Sequence, residues 1–179
     1  NTDAAPATRQ LALETLANTT LTAAPAGWLD ALGTLLPHAT LAELPLLTAA
    51  AEHLPRPKDG HPALQQALAS IAARTDLPDT LRLSAIDAAG GGQPLPESTF
   101  SLLCSSLQLD LPADQRGIAA RRLASATLTS DQMQALIPLA RSVGPMELPK
   151  LLPAFEQHAD ESRGDRKSTR LNSSHEWIS

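Results

Sequence analysis

The sequence predicts an all-α fold of stacked antiparallel helix pairs, a right-handed α-solenoid, with an irregular antiparallel helical bundle as the open alternative. Three observations lead there. Apolar residues make up 42% of the chain but aromatics only 2%, and Tyr is absent. The core must therefore be built from Leu and Ala, both strong helix formers. No stretch alternates at period two, which leaves no signal for a sheet. Finally, apolar residues recur at i, i+3, i+4 and i+7 in segment after segment, and no segment is apolar all round. Helices with one apolar face each suit stacked layers better than a globule wrapped around a central helix.

The elements follow in order. A first helix is expected over roughly Thr8 to Ala17 and a second near Ala26 to Leu36, with Leu29, Leu32 and Leu36 on one side. A third follows Thr40 and ends near Leu54, where PRPKDG (Pro55 to Gly60) makes a loop. The fourth, about Pro62 to Arg74, carries Leu64, Ala67, Leu68 and Ile71; the fifth, about Pro78 to Ala89, stops at Gly90-Gly91-Gly92. Glycine ends helices because it adopts the left-handed cap without a Cβ penalty. The sixth begins near Glu97 with Phe100, Leu103, Cys104 and Leu107 on its stripe. The seventh, about Ala113 to Ala126, carries Ile118, Ala119 and Leu123. The eighth opens on a capping box, Thr129 with Gln132 three residues on, and presents Met133, Leu136, Ile137 and Ala140. The ninth carries Leu148, Leu151, Leu152 and Phe155. Pro45 and Pro149 fall near a first turn, where a lost N–H costs little, whereas Pro138 and Pro153 lie deeper and are expected to kink their helices.

A longer-range similarity sets the helix pairs in register. LRLSAIDAA (Leu81 to Ala89) resembles QRGIAARRLA (Gln115 to Ala124), and Arg82 aligns with Arg116, Ala85 with Ala119 and Ala89 with Leu123 at one constant offset. The following helices align less well, Leu103 with Ile137 and Leu107 with Arg141. The offset is roughly 34 residues, and a two-helix unit at such a period is what helical solenoids show. Short loops and one-sided stripes also suit a bundle.

Paired helices with a Pro in one and an Arg near the start of the other resemble degenerate HEAT repeats, of the armadillo-like helical class. The stretch Leu77 to Gln157, above all LTSDQMQALIPLARSVGPMELPKLLPAFEQ (Leu128 to Gln157), is similar to the helical-repeat region of large bacterial secreted proteins. Those proteins combine a membrane-bound dehydrogenase propeller with a c-type haem domain. The resemblance implies an extracytoplasmic or periplasmic, cytochrome c-associated parent. There, haem sits on a Cys-x-x-Cys-His motif and oxidation belongs to the propeller; this chain contains neither.

Both ends bear on the reading. The chain starts at Asn1 without Met, as a piece of something longer would. From Asp165 the run DRKSTRLNSSH resembles, through His175, the one-frame translation of a common sequencing-library adapter. Such a segment is set aside from fold reasoning. The expected organisation is residues 1–160 as a HEAT-like helical repeat domain and 161–179 as a non-native tail, expected to be disordered. Setting Asp165–Ser179 aside removes the basic cluster Arg166, Lys167 and Arg170. Lys+Arg then falls from 14 to 11 and Asp+Glu from 19 to 17, so the net charge moves from -5 to -6. An acidic body gives no footing to a phosphate backbone, and nucleic acid is not an expected partner.

The chemistry-bearing residues are few. One cysteine, Cys104, excludes an internal disulfide and a thiolate zinc site. A nucleophilic cysteine needs a lowered pKa and a base within reach. Cys104 instead sits on an apolar stripe, as a small buried hydrophobe would. His38, His53, His61 and His158 form no HxxxH or HExxH pair and suit helix ends and surface; His53 and His61 flank one loop. Of the acids Glu43, Asp87, Asp110, Asp114, Glu147 and Glu156, Asp110 and Asp114 bracket a helix start, where carboxylates cap free N–H groups. Arg82, Arg116, Arg121 and Arg122 are expected to brace neighbouring repeats by pairing with Asp87 and Asp114, or to line a groove for an acidic partner. The Gly-Gly-Gly run lacks any phosphate-loop pattern, and no run of 18 apolar residues exists to span a membrane. The expectation is a non-catalytic scaffold that spaces or docks neighbouring domains or protein partners. It has no catalytic, cofactor-binding or metal residues of its own; haem c belongs to the parent. The alternative is an accessory region of a membrane-associated c-type haem dehydrogenase, inert alone.

Overall fold

The computed structural model describes residues 6–18, 21–25, 27–57 and 60–156. The fold is all-α. Helix α1 spans Pro6–Ala17 and α2 Trp28–Leu35, which tightens into a 3₁₀ turn, Leu36–His38. Then follow α3 (Leu44–His53), α4 (Pro62–Ala73), α5 (Asp79–Ala89), α6 (Glu97–Ser105), α7 (Ala113–Ser125) and α8 (Ser130–Ala140). Residues 148–156 are helical again up to the limit of the described residues. No strand occurs among the described residues; an isolated parallel bridge joins Pro94 and Thr127. His158 and the whole 161–179 segment lie outside the described residues.

The chain divides into two compact units, Asn1–Gly91 and Gly92–Ser179. In the first, α1 packs on α3, α3 on α5, α2 on α4, and α4 on α5. The buried faces are the ones the stripes predict: Leu29, Leu32 and Leu36; Leu44, Leu47, Ala50 and Ala51; Leu64, Ala67, Leu68 and Ile71. Each fully buried Leu contributes roughly 1.5–3 kcal/mol, and the alanines let backbones approach. Helices α2 and α4 approach closely at Gly33, where a Cβ would stand 3.3 Å from the Leu64 backbone nitrogen. In the second unit α6 packs on α7 and α8. Phe100, Leu102, Leu103, Ala119, Ala120, Leu123, Met133 and Leu136 form its core.

Proline starts these helices repeatedly. Pro78, Pro96 and Pro112 are the N-caps of α5, α6 and α7, each at φ near −56° with extended ψ and no side-chain cap bond. Their ring fixes φ, and their carbonyls accept the first helical hydrogen bonds, from Arg82 and Phe100 at 3.1 and 2.9 Å, and from Arg116 at 3.1 Å. α8 has the expected capping box: Gln132 N donates to Thr129 Oγ1 at 3.2 Å and Thr129 N to Gln132 Oε1 at 3.1 Å. The same buried Gln132 also donates to the Leu95 carbonyl at 3.0 Å. α5 ends at Gly90, whose φ of +93° only glycine adopts cheaply.

Four expectations change. α3 begins at Leu44 because residues 41–43 form a turn, closed by Glu43 Oε2 accepting from the Thr40 N and Oγ1, both at 2.9 Å. Ile137 is 47% exposed while Leu136 is fully buried, so α8 answers α6 one position short of the repeat offset, Leu103 with Leu136 and Phe100 with Met133. The full offset would pair buried Leu107 with exposed Arg141. In 148–156 the inner positions are Leu151 and Ala154; Leu148 and Leu152 are 37% and 50% exposed. The expected caps at Asp110 and Asp114 give way to Pro112, and Asp114 sits in the first turn, where it favours the helix dipole.

Two glycine substitutions are expected to act in opposite directions. Gly33→Ala forces α2 from the α4 backbone and lowers the unfolding free energy by about 1–3 kcal/mol despite better helix propensity. Gly117→Ala in α7 meets only the far end of Lys150, 3.2 Å away, and raises it by about 0.5–1 kcal/mol. Urea unfolding of both variants checks the pair.

Candidate functional site

The arginines singled out by the repeat carry the principal polar sites of the fold. Arg82 and Arg116 are each the fourth residue of their helix. Arg82 Nε donates to the Ala72 carbonyl at 3.0 Å, near the end of α4, and Nη1 pairs with Asp79 at 2.8 Å. Arg116 Nη1 donates to the Leu111 and Leu109 carbonyls at 2.5 and 3.3 Å, in the connection after α6. Arg82 thus closes a carbonyl left open at the end of the preceding helix, and Arg116 closes carbonyls of the connection that leads into its own helix. Bracing partners thus include Asp79, an (i, i+3) neighbour of Arg82 on its own helix, and Glu147, which spacing alone does not pair with Arg116.

Glu147 is not separable from a surface acid by its residue type. It is 1% exposed, with Oε1 3.3 Å from Arg116 Nε. That approach is an ion pair without an aligned hydrogen bond, so Arg116 Nε and Glu147 Oε2 both lack hydrogen-bond partners. The signal that could have found it is Gly144. A Cβ there would overlap Glu147 Oε2, so a glycine three residues before an acid marks the place where the carboxylate folds back.

In the first unit a cleft of about 410 Å³ is lined by Gly27, Leu29, Asp30, Arg56 and His61 among others. Its polar groups are already engaged. His61 is the N-cap of α4: its Nδ1 accepts from Leu64 N at 3.3 Å, and its Nε2 donates to Asp30 Oδ1 at 3.1 Å. The two bonds fix the tautomer with the proton on Nε2. Arg56 Nη2 donates to the Ala51 carbonyl at 2.8 Å and to the Ala88 carbonyl, tying the ends of α3 and α5. His53 Nδ1 lies 2.8 Å from the Ala49 carbonyl within its own helix, and His38 ends the 3₁₀ turn, exposed. Capping and surface roles are the expectation for these histidines, and His61 takes a capping one at the start of α4. A second groove of about 210 Å³ between α3 and α5 is lined by Thr48, Glu52, Thr80 and Ser84; the Thr48 and Ser84 hydroxyls donate to the Leu44 and Thr80 carbonyls. Between α4 and α5, Arg74 forks onto Asp76 at 2.6 and 3.1 Å, which holds the Asp76 carboxyl below its usual range.

Cys104 sits half-buried at the edge of the stripe formed by Phe100, Leu103 and Leu107. Burial, reinforced by the Glu97 carboxylate, pushes its thiol up to about 11. The charged group acting on it is thus an acid, the opposite of what activates a thiolate. No cluster of three or more His, Cys, Asp or Glu arranged to hold a metal occurs among the described residues, and no helix among them is long and apolar enough to cross a membrane. The chain has no match among family models, curated proteins or solved structures.

Two solution measurements check these assignments. With the thiol at about 11, its alkylation rate at pH 8 reflects a thiolate fraction of about one in a thousand. The rate climbs tenfold per pH unit toward that value; a plateau near pH 8.5 overturns the assignment. His61→Ala removes an N-cap acceptor and lowers stability by about 1 kcal/mol. Asp30→Ala costs a few tenths, since Asp30 is 74% exposed; urea midpoints separate the two.

Proposed function

We propose that the chain is a non-catalytic scaffold, an α-solenoid of HEAT-like helix pairs that spaces or docks neighbouring domains or protein partners. The observation that carries the reading is the packing order in the first unit, where alternate helices touch: α1 with α3, α3 with α5, α2 with α4. Two layers of alternate helices are what stacked pairs produce. The even spacing of Ala17, Ala51 and Ala85, buried in α1, α3 and α5 at the interval that also separates Arg82 from Arg116, supports the same reading. So does Ala119, buried one such interval further on in α7. The polar groups add their weight: the arginines and His61 bond to helix ends and to single carboxylates, as parts of a frame do. Extended surfaces of this kind recognise partners without a pocket. The second reading, an accessory region of a c-type haem dehydrogenase in an extracytoplasmic compartment, rests on the resemblance of Leu128–Gln157.

The test is to lengthen the chain. A duplicate of residues 78–111 inserted after Leu111 is expected to add its helices, keep cooperative unfolding and hold or raise the denaturant midpoint. With Cys104 replaced by Ala and labels at positions 8 and 156, energy transfer is expected to fall with each inserted unit. A duplicated chain that loses cooperative unfolding, or one whose transfer efficiency stays constant, sinks the spacer reading.

A further inference from the structure

We propose that residues 144–156 form a strap that opens from the second unit on its own, with Glu147 as its charged pin. Glu147 stands at the start of the segment: its carbonyl accepts from Lys150 N and Leu151 N at 3.0 and 3.2 Å, while its carboxylate turns back to Arg116 of α7. The side chains are 2% and 15% exposed. A pair so buried holds well only when its remaining lone pairs and protons are bonded, and here Glu147 Oε2 and Arg116 Nε are not. The pin therefore holds the strap, but less firmly than a fully bonded pair would.

The apolar anchorage is thin. Within 148–156 only Leu151 and Ala154 are buried, whereas α7 buries Gly117, Ala119, Ala120, Leu123 and Ala124. Met146, Leu148 and Leu152 face outward. Pro149 costs little in the first turn, but Pro153 brings no N–H where a donor would meet the carbonyl of residue 149. A segment with few buried contacts and missing backbone bonds opens at lower cost than the unit it lies on. Opening uncovers the Arg116–Gly117 edge of α7, against which Lys150 now rests. Arg116 keeps its bonds to the Leu109 and Leu111 carbonyls and loses its carboxylate.

Native-state hydrogen exchange on the full chain tests this. In the unsubstituted protein the amides of 151–156 exchange at least tenfold faster than those of 119–124. Thr129→Ala, which removes the α8 capping box and weakens the unit as a whole, speeds 119–124 roughly fivefold and leaves 151–156 unchanged. Glu147→Gln does the reverse, speeding 151–156 by tenfold or more with 119–124 unchanged. Equal protection of the two segments, parallel acceleration by Thr129→Ala, or a Glu147→Gln chain whose 151–156 amides are unmoved each overturns the proposal; the last reduces fast exchange to end fraying.

Discussion

A chain made of helices of 8 to 13 residues has many ends, and every end leaves backbone N–H or C=O groups without an intrahelical partner. That constraint organises most of the polar chemistry in this protein. At helix starts the chain uses proline, whose fixed φ suits the first turn and whose missing N–H is no loss there. At helix ends it uses arginine. Arg56 bonds the last turns of α3 and α5, Arg82 that of α4, and Arg116 the connection after α6. Each guanidinium carries several donors in a fixed fork, so one side chain serves two carbonyls or a carbonyl and a carboxylate. Lysine, a compact point charge, could not do the same.

This accounts for the division of labour between side chains. The interior between helices is filled mostly by leucine stripes and alanines. The arginines and His61, which in another protein would draw attention as a binding cluster, are consumed at helix termini. Cys104 fits the same pattern: half-buried and beside an acid, it keeps its proton. The 410 Å³ cleft is bordered by three such engaged groups, Asp30, Arg56 and His61, which explains why its size does not translate into a convergent set of free donors and acceptors.

The elements themselves were legible because their signals are local. The i, i+3, i+4, i+7 stripes located α2, α4, α6 and α7 to within a residue or two, the Thr129–Gln132 capping box marked α8, and Gly90 marked the stop of α5. The errors arose where a neighbour decides. On α8, Leu136 and Ile137 are both apolar and adjacent; which one turns inward depends on α6 lying against it. On 148–156 five apolar positions, Leu148, Leu151, Leu152, Ala154 and Phe155, compete for one buried face, and Leu151 and Ala154 take it. The sequence places His61 only as flanking a loop; Pro62 directly after it fixes a helix start, and its imidazole nitrogen accepts there as an aspartate oxygen does.

Glu147 is the instructive case, since nothing in its residue type separates it from an exposed acid. A carboxylate goes inside only if the chain both offers a cation and removes the atoms in its way. Arg116 supplies the first, already held by the Leu111 carbonyl at 2.5 Å and so with little orientational freedom to lose. Gly144 supplies the second, because any Cβ there would occupy the space of Oε2. Arg116 lies on α7, with the whole of α8 between it and Gly144, so neither helical periodicity nor a short motif joins the cation to its acid. The same long separation explains why the pair stays imperfect. Arg116 is positioned first by its own carbonyl bonds, and the carboxylate must meet it where it stands, at 3.3 Å and out of line. A side chain already committed to the carbonyls of one connection can define the place of the next segment, but it cannot also move to satisfy it.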